Sequence, residues 1–393
     1  MQLNLNDELE KIFDDYFQDL TIDDFQVGDI KGGQTAADIA LSTYSVNGYA
    51  QNRSQVLPES TRGASVLSPY IRHNLLPLER VWKEVGGPYK DVSKFQDELL
   101  WQEYARHLYA RVGEDLFQNF RFEVPWDTEG YGWRREMLCI DTVVDELETR
   151  GWLVNQSRMW LASEWTVHNQ KGWLHGQEEF YKHLLDGSRA ANLAGWQWTV
   201  GSGTGRPYGF SRWQVNKRAP GLCSKCPLNK NCPVEHFPEE QQLDRLEKHP
   251  LIESDPNPSV TAGPSQVVSR QQPEAVLLTI DSLGDADRAL TVHPDLPVVF
   301  VFNGPALDKL QLSSKRINFY LETLKDLATR RVLEVYLDDP KEIIRQRKFA
   351  VTWAPVPSFK KYESEFAELH PWPWIRKPHA GSVRSFSAWR AKL

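Results

Sequence analysis

The sequence predicts an α plus α/β protein, with a large all-helical unit followed by a small parallel α/β unit. Three observations carry this. Apolar residues recur at helical spacing from the start of the chain to about residue 215. A stretch rich in Pro, Ser and Gly then interrupts the pattern at 233–273. Beyond it, short apolar runs alternate with a helical segment, as strands and crossovers do in a parallel sheet. A chain of 393 residues has room for two or three such units.

The first segment, LNDELEKIFDDYFQDL, places Leu9, Ile12, Phe13, Tyr16, Phe17 and Leu20 on one helical face with acidic residues opposite. The helical pattern continues through LSPYIRHNLLPLERVW, DELLWQEYARHLYARV, DTVVDELETRGWLVNQSRMWLASEWTVHN and EEFYKHLLDG. Turns are expected at Gly86-Gly87-Pro88 and at Pro125-Trp126. Residues 1–232 are therefore read as one helical domain. PNPSVTAGPSQ followed by SRQQPE reads as an exposed linker over 233–273. Four strands are expected at 275–281, 297–302, 332–337 and 349–354, with SSKRINFYLETLKDLATRR as a helix between them. They define an α/β domain over 274–393 that ends in the basic, aromatic tail HPWPWIRKPHAGSVRSFSAWRAKL.

Composition is ordinary at 40% hydrophobic and 25% charged residues, but 15 tryptophans are not. Most of these are expected in the core. The net charge of -7 does not advertise a nucleic-acid binder. Its distribution is uneven: residues 1–30 carry nine acidic side chains and one basic, whereas 341–393 carry eleven Lys/Arg and four Asp/Glu. A local basic groove is compatible with that asymmetry. The polar, acidic N-terminus lacks the pattern of a secretory signal, and no apolar run reaches the roughly 20 residues of a membrane helix. The four cysteines are not spaced as a disulfide framework. A cytoplasmic protein without membrane contact, and a monomer, is expected.

The most informative stretch is Leu184 to Trp198, LLDGSRAANLAGWQW, followed by Gly201-Ser202-Gly203-Thr204-Gly205. Small residues let the backbone approach a flat ligand. Asp186 and Asn192 offer hydrogen bonds to a polar ring edge, and Trp196 and Trp198 add flat contacts. Upstream, Gly32-Gly33-Gln34-Thr35-Ala36-Ala37 precedes Tyr49-Ala50-Gln51-Asn52-Arg53, and then Ala64-Ser65-Val66-Leu67-Ser68-Pro69-Tyr70. The last is a Ser-rich turn at a helix start, where free N–H groups suit an anion. In this order, over residues 32 to about 216, these motifs resemble the cryptochrome/photolyase family. That family begins with an α/β domain and ends with the helical one. The reversed order here implies a circular permutation, with a shortened Rossmann-like domain last and the antenna pigment unassigned.

The resemblance implies FAD. It places Tyr49, Ser65, Val66, Leu67, Ser68, Gln102, Arg158, Asp186, Ser188 and Asn192 at flavin-contacting positions. Asn192 matches the amide that faces the flavin N5. Three positions depart from the family: Ala64 stands for Thr, Ser188 for a second Asp and Gln102 for Arg. Trp196 matches the flavin-proximal member of an electron-conducting tryptophan chain and Trp173 the middle one, while Trp126 and Trp133 compete for the outer place.

Glu98, Trp101 and Gln102 share a helix face, and Asn155, Arg158 and Met159 repeat that spacing. Glu98, Trp101, Asn155, Met159 and Trp198 match positions that hold a cyclobutane pyrimidine dimer in photolyases, where carboxyl and amide bind base edges and the aromatics stack. Arg53 and Arg212 match positions on DNA phosphates. Gln156 replaces an Arg and Val154 a His, which implies weaker DNA affinity.

Cys223, Cys226 and Cys232 form a C-x2-C-x5-C run, with Pro after two of the three. Such spacing brings thiolates round one metal centre, and Cys139 is the one cysteine left to complete four ligands. A branch of the family carries a [4Fe–4S] cluster on one upstream and three downstream cysteines. This resemblance favours iron–sulfur, with zinc as the alternative. The expected function is light-driven, FAD-dependent repair of cyclobutane dimers in UV-damaged DNA by a deoxyribodipyrimidine photolyase-like lyase. The alternatives are a blue-light photoreceptor without repair activity and an iron–sulfur flavoprotein redox carrier.

Overall fold

A computed structural model describes residues 1–239 and 241–393. Helices dominate up to residue 225, the longest being Tyr89–Val112, and a six-stranded sheet follows. The sheet comprises β1 (Val268–Ser269), β2 (Ala275–Leu278), β3 (Val298–Asn303), β4 (Leu333–Asp338), β5 (Phe349–Thr352) and β6 (Glu368–His370). Its spatial order is β4-β3-β2-β5-β6-β1, all parallel except the antiparallel edge pair of β1 with β6. Counted from β2, the parallel strands lie in the order 3-2-1-4-5 of a doubly wound sheet, whose order reverses between β2 and β5.

The four apolar runs became β2 to β5. The sequence signal missed β1 and β6 for a physical reason. Both are very short, and β6 (Glu-Leu-His) has no apolar run to mark it. Alternation sorts the strand residues to two faces. Val276, Leu278, Val298, Phe300 and Phe302 pack on one side with Phe17, Ile317 and Leu321. Ala275, Leu277, Val299 and Val351 face the other side, with Trp353, Phe359 and Trp372.

The acidic first helix, Leu9–Tyr16, packs on helix Ser314–Ala328 of the α/β unit. Phe17 meets Phe302 edge-on with ring centroids 4.9 Å apart. The stretch 233–273 contains helices Pro250–Glu253 and Pro258–Ala262 as well as β1. Pro250 and Pro258 occupy first-turn helix positions, where a missing N–H costs nothing. Ile252 is buried there, and Asp255 is buried against Arg111 at 3.3 Å. The tail folds back onto the helical unit: Val383, Phe386 and Trp389 are buried in its core.

Two polar bridges join the helical unit to the sheet. Arg72 pairs with Asp281, which follows β2, at 2.5 Å. The His73 ring lies between the carbonyls of Ile280 and Leu185, at 2.7 and 3.0 Å.

Candidate functional site

Helix Arg189–Thr199 lies at the centre of the predicted flavin set and packs against helices Tyr89–Val112, Asn155–Ser163 and Trp173–His183. Ser188 starts it: its hydroxyl accepts from the Ala191 N–H at 3.4 Å. The residue that replaces a family carboxylate therefore serves as a helix cap. Gly187 is required by close approach, since a Cβ there would stand 2.6 Å from Arg316 Nη1 and 2.8 Å from the Leu184 carbonyl.

Arg158 donates to Asp186 Oδ2 at 2.7 Å and to the Leu153 carbonyl at 3.0 Å. Asp186 is buried, and its other oxygen, Oδ1, has no hydrogen-bond partner among the described residues. A buried carboxylate oxygen left open costs free energy unless a ligand donor reaches it. Asn192 is also buried. Its Nδ2 donates to the Gln177 carbonyl at 2.8 Å and to Gln177 Oε1 at 3.1 Å. Its Oδ1 accepts no hydrogen bond among the described residues. The amide is thus pinned through its donor and presents an acceptor.

Beneath this pair the field is positive. Arg72 and Arg316 both donate to the Gly187 carbonyl, at 3.1 and 2.8 Å. Arg189 and Arg316 lie over the Tyr181 ring at 3.7 and 4.4 Å. Burial raises the pKa of that phenol, but the guanidiniums of Arg316, Arg72 and Arg189 outweigh burial and hold it below its ordinary value. The motif reading missed Arg72, Arg316 and Gln177. Arg316 carried a usable signal, because it sits beside Ile317 and one turn from Tyr320 on an otherwise buried helix.

The Ser-rich turn is half-buried at Ser65, Val66 and Ser68 and buried at Leu67. Val66 has φ +55°, an unfavourable conformation for a β-branched residue of the kind that clusters at ligand sites. Helix Ser68–Arg72 follows, with no side chain capping its first N–H groups. Ser68 Oγ accepts from Trp152 Nε1 at 2.9 Å. Tyr49 is buried edge-on to Phe95, and burial, then the Glu98 charge, raises its pKa. Gln102 is half-buried on the long helix.

Trp196 is 2% exposed, its Nε1 unpartnered. Ring contacts run from Trp196 to Phe180 at 5.1 Å, from Phe180 to Trp133 at 5.7 Å, and from Trp133 to Trp165 at 5.1 Å. Trp173 is buried and donates to Asn119 Oδ1 at 3.1 Å, but no ring pair joins it to Trp196 among the described residues. Trp126 is buried as well.

The predicted substrate residues fall into two groups with no hydrogen bond, ion pair or ring pair between them among the described residues. On the long helix, Glu98 pairs with Lys94 at 2.8 Å and with Arg53 at 3.4 Å. Trp101 stays 39% exposed, with one face stacked on Phe386. On the other side, Asn155 Nδ2 contacts Met159 Sδ at 3.5 Å, and Trp198, 41% exposed, lies 5.6 Å from the Tyr208 ring. Gln156 donates to the Tyr208 hydroxyl at 3.1 Å. Arg212 is engaged away from both groups, with Glu235 at 2.8 Å and the Asn229 carbonyl at 2.8 Å.

Arg212 instead borders the cysteines. Cys139, Cys223, Cys226 and Cys232 line one pocket with Met137, Val215, Leu228 and Val234. All four are free thiols. Burial, then the neighbouring Cys223, Cys232 and Cys226, pushes the Cys139 thiol up to about 12. Among the described residues no three of these sulfurs lie within 4.8 Å of one another.

Residues 95–217 match the FAD binding domain of DNA photolyase. The deoxyribodipyrimidine photo-lyase of Thermus thermophilus is 32% identical over 165 residues, covering 39% of this chain and 39% of that protein. That of Synechococcus is 24% identical over 192 residues, covering 44% of this chain and 40% of its own. The chain thus spans about two fifths of the length of these relatives. A Synechocystis cryptochrome structure aligns with TM-score 0.44 and 21% identity, over 50% of this chain and 46% of that one. Asp186, Asn192 and Trp196 all fall inside the matched segment. The domain match and the sequence motifs therefore single out the same helices, and over these helices the chain is similar to the FAD binding domain of DNA photolyase.

Proposed function

We propose that this protein binds FAD against the Arg158–Asp186 pair and repairs cyclobutane pyrimidine dimers in UV-damaged DNA with light. The observation that carries the reading is the buried, unpartnered Asp186 Oδ1, within the segment that matches a photolyase FAD domain. Bound FAD would supply the light-excited electron donor. Asp186 would accept from the ring's polar edge, and Arg158 would hold that carboxylate in place. Asn192, its donor already used by Gln177, would offer Oδ1 to a protonated ring nitrogen. Tyr49, Gln102 and the turn Ser65–Ser68 would hold the rest of the cofactor, the turn through free N–H groups that suit a diphosphate. Glu98, Trp101, Asn155, Met159 and Trp198 would hold the lesion, and Arg53 and Arg212 the backbone, which requires both arginines to leave their present partners. Trp196 would pass electrons inward, with Trp173 or Trp133 behind it. The helix-first, sheet-last order is read as a circular permutation.

The four cysteines would hold a [4Fe–4S] cluster. All four thiols line one pocket, as four thiolate ligands of a single centre must. Absorption near 400 nm that disappears in Cys226→Ser tests this assignment; a colourless zinc protein overturns it.

A second reading, a photoreceptor without repair, is favoured by one observation. Phe386 covers a face of Trp101, a predicted lesion contact. Illuminating the reduced protein with a UV-treated oligonucleotide separates the two. Repair predicts light-dependent loss of dimers, slowed about tenfold or more in Glu98→Ala with FAD retained. No loss of dimers from fully reduced protein rejects the repair reading.

A further inference from the structure

Outside the flavin region, one cluster of ligating side chains has no role so far. Glu368 opens β6 and His370 closes it, two residues apart and so on the same face of the strand. His293 comes from the turn after helix Arg288–Val292, which packs on β5 and β6. Glu368 Oε1 lies 2.6 Å from Nε2 of His293 and 2.6 Å from Nε2 of His370. The three ligand atoms all fall within 4.8 Å of one another. The two rings stand at 89° with centroids 5.7 Å apart, so two nitrogens converge on one carboxylate from perpendicular planes.

The charge balance is unusual. The Glu368 side chain is 10% exposed and that of His370 1%. Asp287, 2% exposed, lies within electrostatic range of His370. It accepts from the Ser282 hydroxyl and from the Leu290 N–H. Neither carboxylate has a Lys or Arg within 4.0 Å among the described residues. Two buried carboxylates facing imidazoles and no fixed cation are poorly compensated.

We propose that His293, Glu368 and His370 form a site for one divalent first-row transition ion, Zn2+ or a chemically similar metal. Two imidazoles and a carboxylate are a donor set such ions take. Asp287 would add a second negative charge outside the ligands. The 2.6 Å contacts are hydrogen bonds, whereas ligands at roughly 2.0–2.1 Å from one ion stand about 2.9–3.4 Å apart. Widening by about half an ångström suffices, and His293, 21% exposed, is free to supply it and to admit the ion. Bound metal would pin the end of helix Arg288–Val292 to β6, next to the strand-order reversal.

The test uses the full chain, stripped with a chelator and titrated with Co2+ and then Zn2+. Bound equivalents are counted by elemental analysis. The visible Co2+ spectrum separates a nitrogen–oxygen site from the thiolate site, whose charge-transfer band lies in the near ultraviolet. Wild type is expected to bind one equivalent more than His293→Ala and Glu368→Gln, with the thiolate band unchanged in all three. Zn2+ should raise the melting temperature of wild type more than that of either variant. If Glu368→Gln fails to fold, His293→Ala alone decides, because that side chain sits at the rim. Equal stoichiometry and equal affinity in wild type and His293→Ala overturn the proposal, as does binding confined to the thiolates. No readout depends on flavin or on repair.

Discussion

The ring of Phe386 lies flat on Trp101, with centroids 4.0 Å apart and planes 11° from parallel. The C-terminal tail thereby becomes a wall of the helical unit. Tyr104 donates to the Val383 carbonyl at 2.9 Å, and Trp389 Nε1 donates to His107 Nδ1 at 2.8 Å. Phe386→Ala is expected to lower stability by about 3–5 kcal/mol, the usual cost of emptying a buried phenyl site. It should also shift Trp101 emission toward that of a solvated indole. Urea unfolding followed by fluorescence measures both, and a loss below about 0.5 kcal/mol would mean that the tail rests on the helix without holding it.

Asp186 joins two tasks, pairing with Arg158 and leaving one oxygen open. Asp186→Asn keeps the shape and removes the charge. We expect at least a tenfold drop in FAD retained through purification, read as the ratio of absorbance near 450 nm to that at 280 nm. The loss corresponds to about 1.4 kcal/mol or more, within the range of a charged hydrogen bond. Full flavin content in this variant would remove Asp186 from the cofactor site.

Gly176 exists to make room for an indole. A Cβ there would come within 2.3 Å of the Trp196 ring and 3.0 Å of Trp165. Gly176→Ala should cost about 1–3 kcal/mol by overpacking and displace Trp196. If Trp196 conducts electrons to the flavin, photoreduction slows in this variant while the flavin content of the folded fraction stays the same. Wild-type photoreduction with a displaced indole would count against Trp196 as the proximal donor.

Glu103 is fully buried, with Oε1 accepting from the Arg376 N–H at 2.9 Å and Oε2 unpartnered. Burial is the main cause that pushes its carboxyl up to about 7 from 4.5. Between those values the folded chain holds a proton that the unfolded chain releases. Stability therefore falls as pH rises from about 4.5 to 7 and levels off above, by roughly 2–4 kcal/mol from this group. Glu103→Gln should flatten that slope in unfolding curves taken at pH 5, 6, 7 and 8. An unchanged slope would show that another group sets it.

The sequence revealed much of this molecule where a period or a spacing carried the signal. The strands β2 to β5 announced themselves as apolar runs, and the cysteines by their intervals. Partners that meet across the fold gave no such sign. Gln177 lies 15 residues from the amide it holds, and Phe386 lies 285 residues from Trp101. Strand β6 stayed hidden because its polar residues face a helix rather than solvent. The tail resisted reading because its aromatics fill gaps in a helical core without forming a long element of their own.

Arg316 has a consequence for how the halves depend on each other. It is contributed by the sheet unit, yet it satisfies the carbonyls of Tyr181 and Gly187, deep in the helical unit. A fragment cut after residue 232 would leave both carbonyls without that donor, one of them immediately beside Asp186. The helical portion expressed alone is therefore expected to emerge without flavin absorbance near 450 nm, and adding the missing half in trans should restore that band.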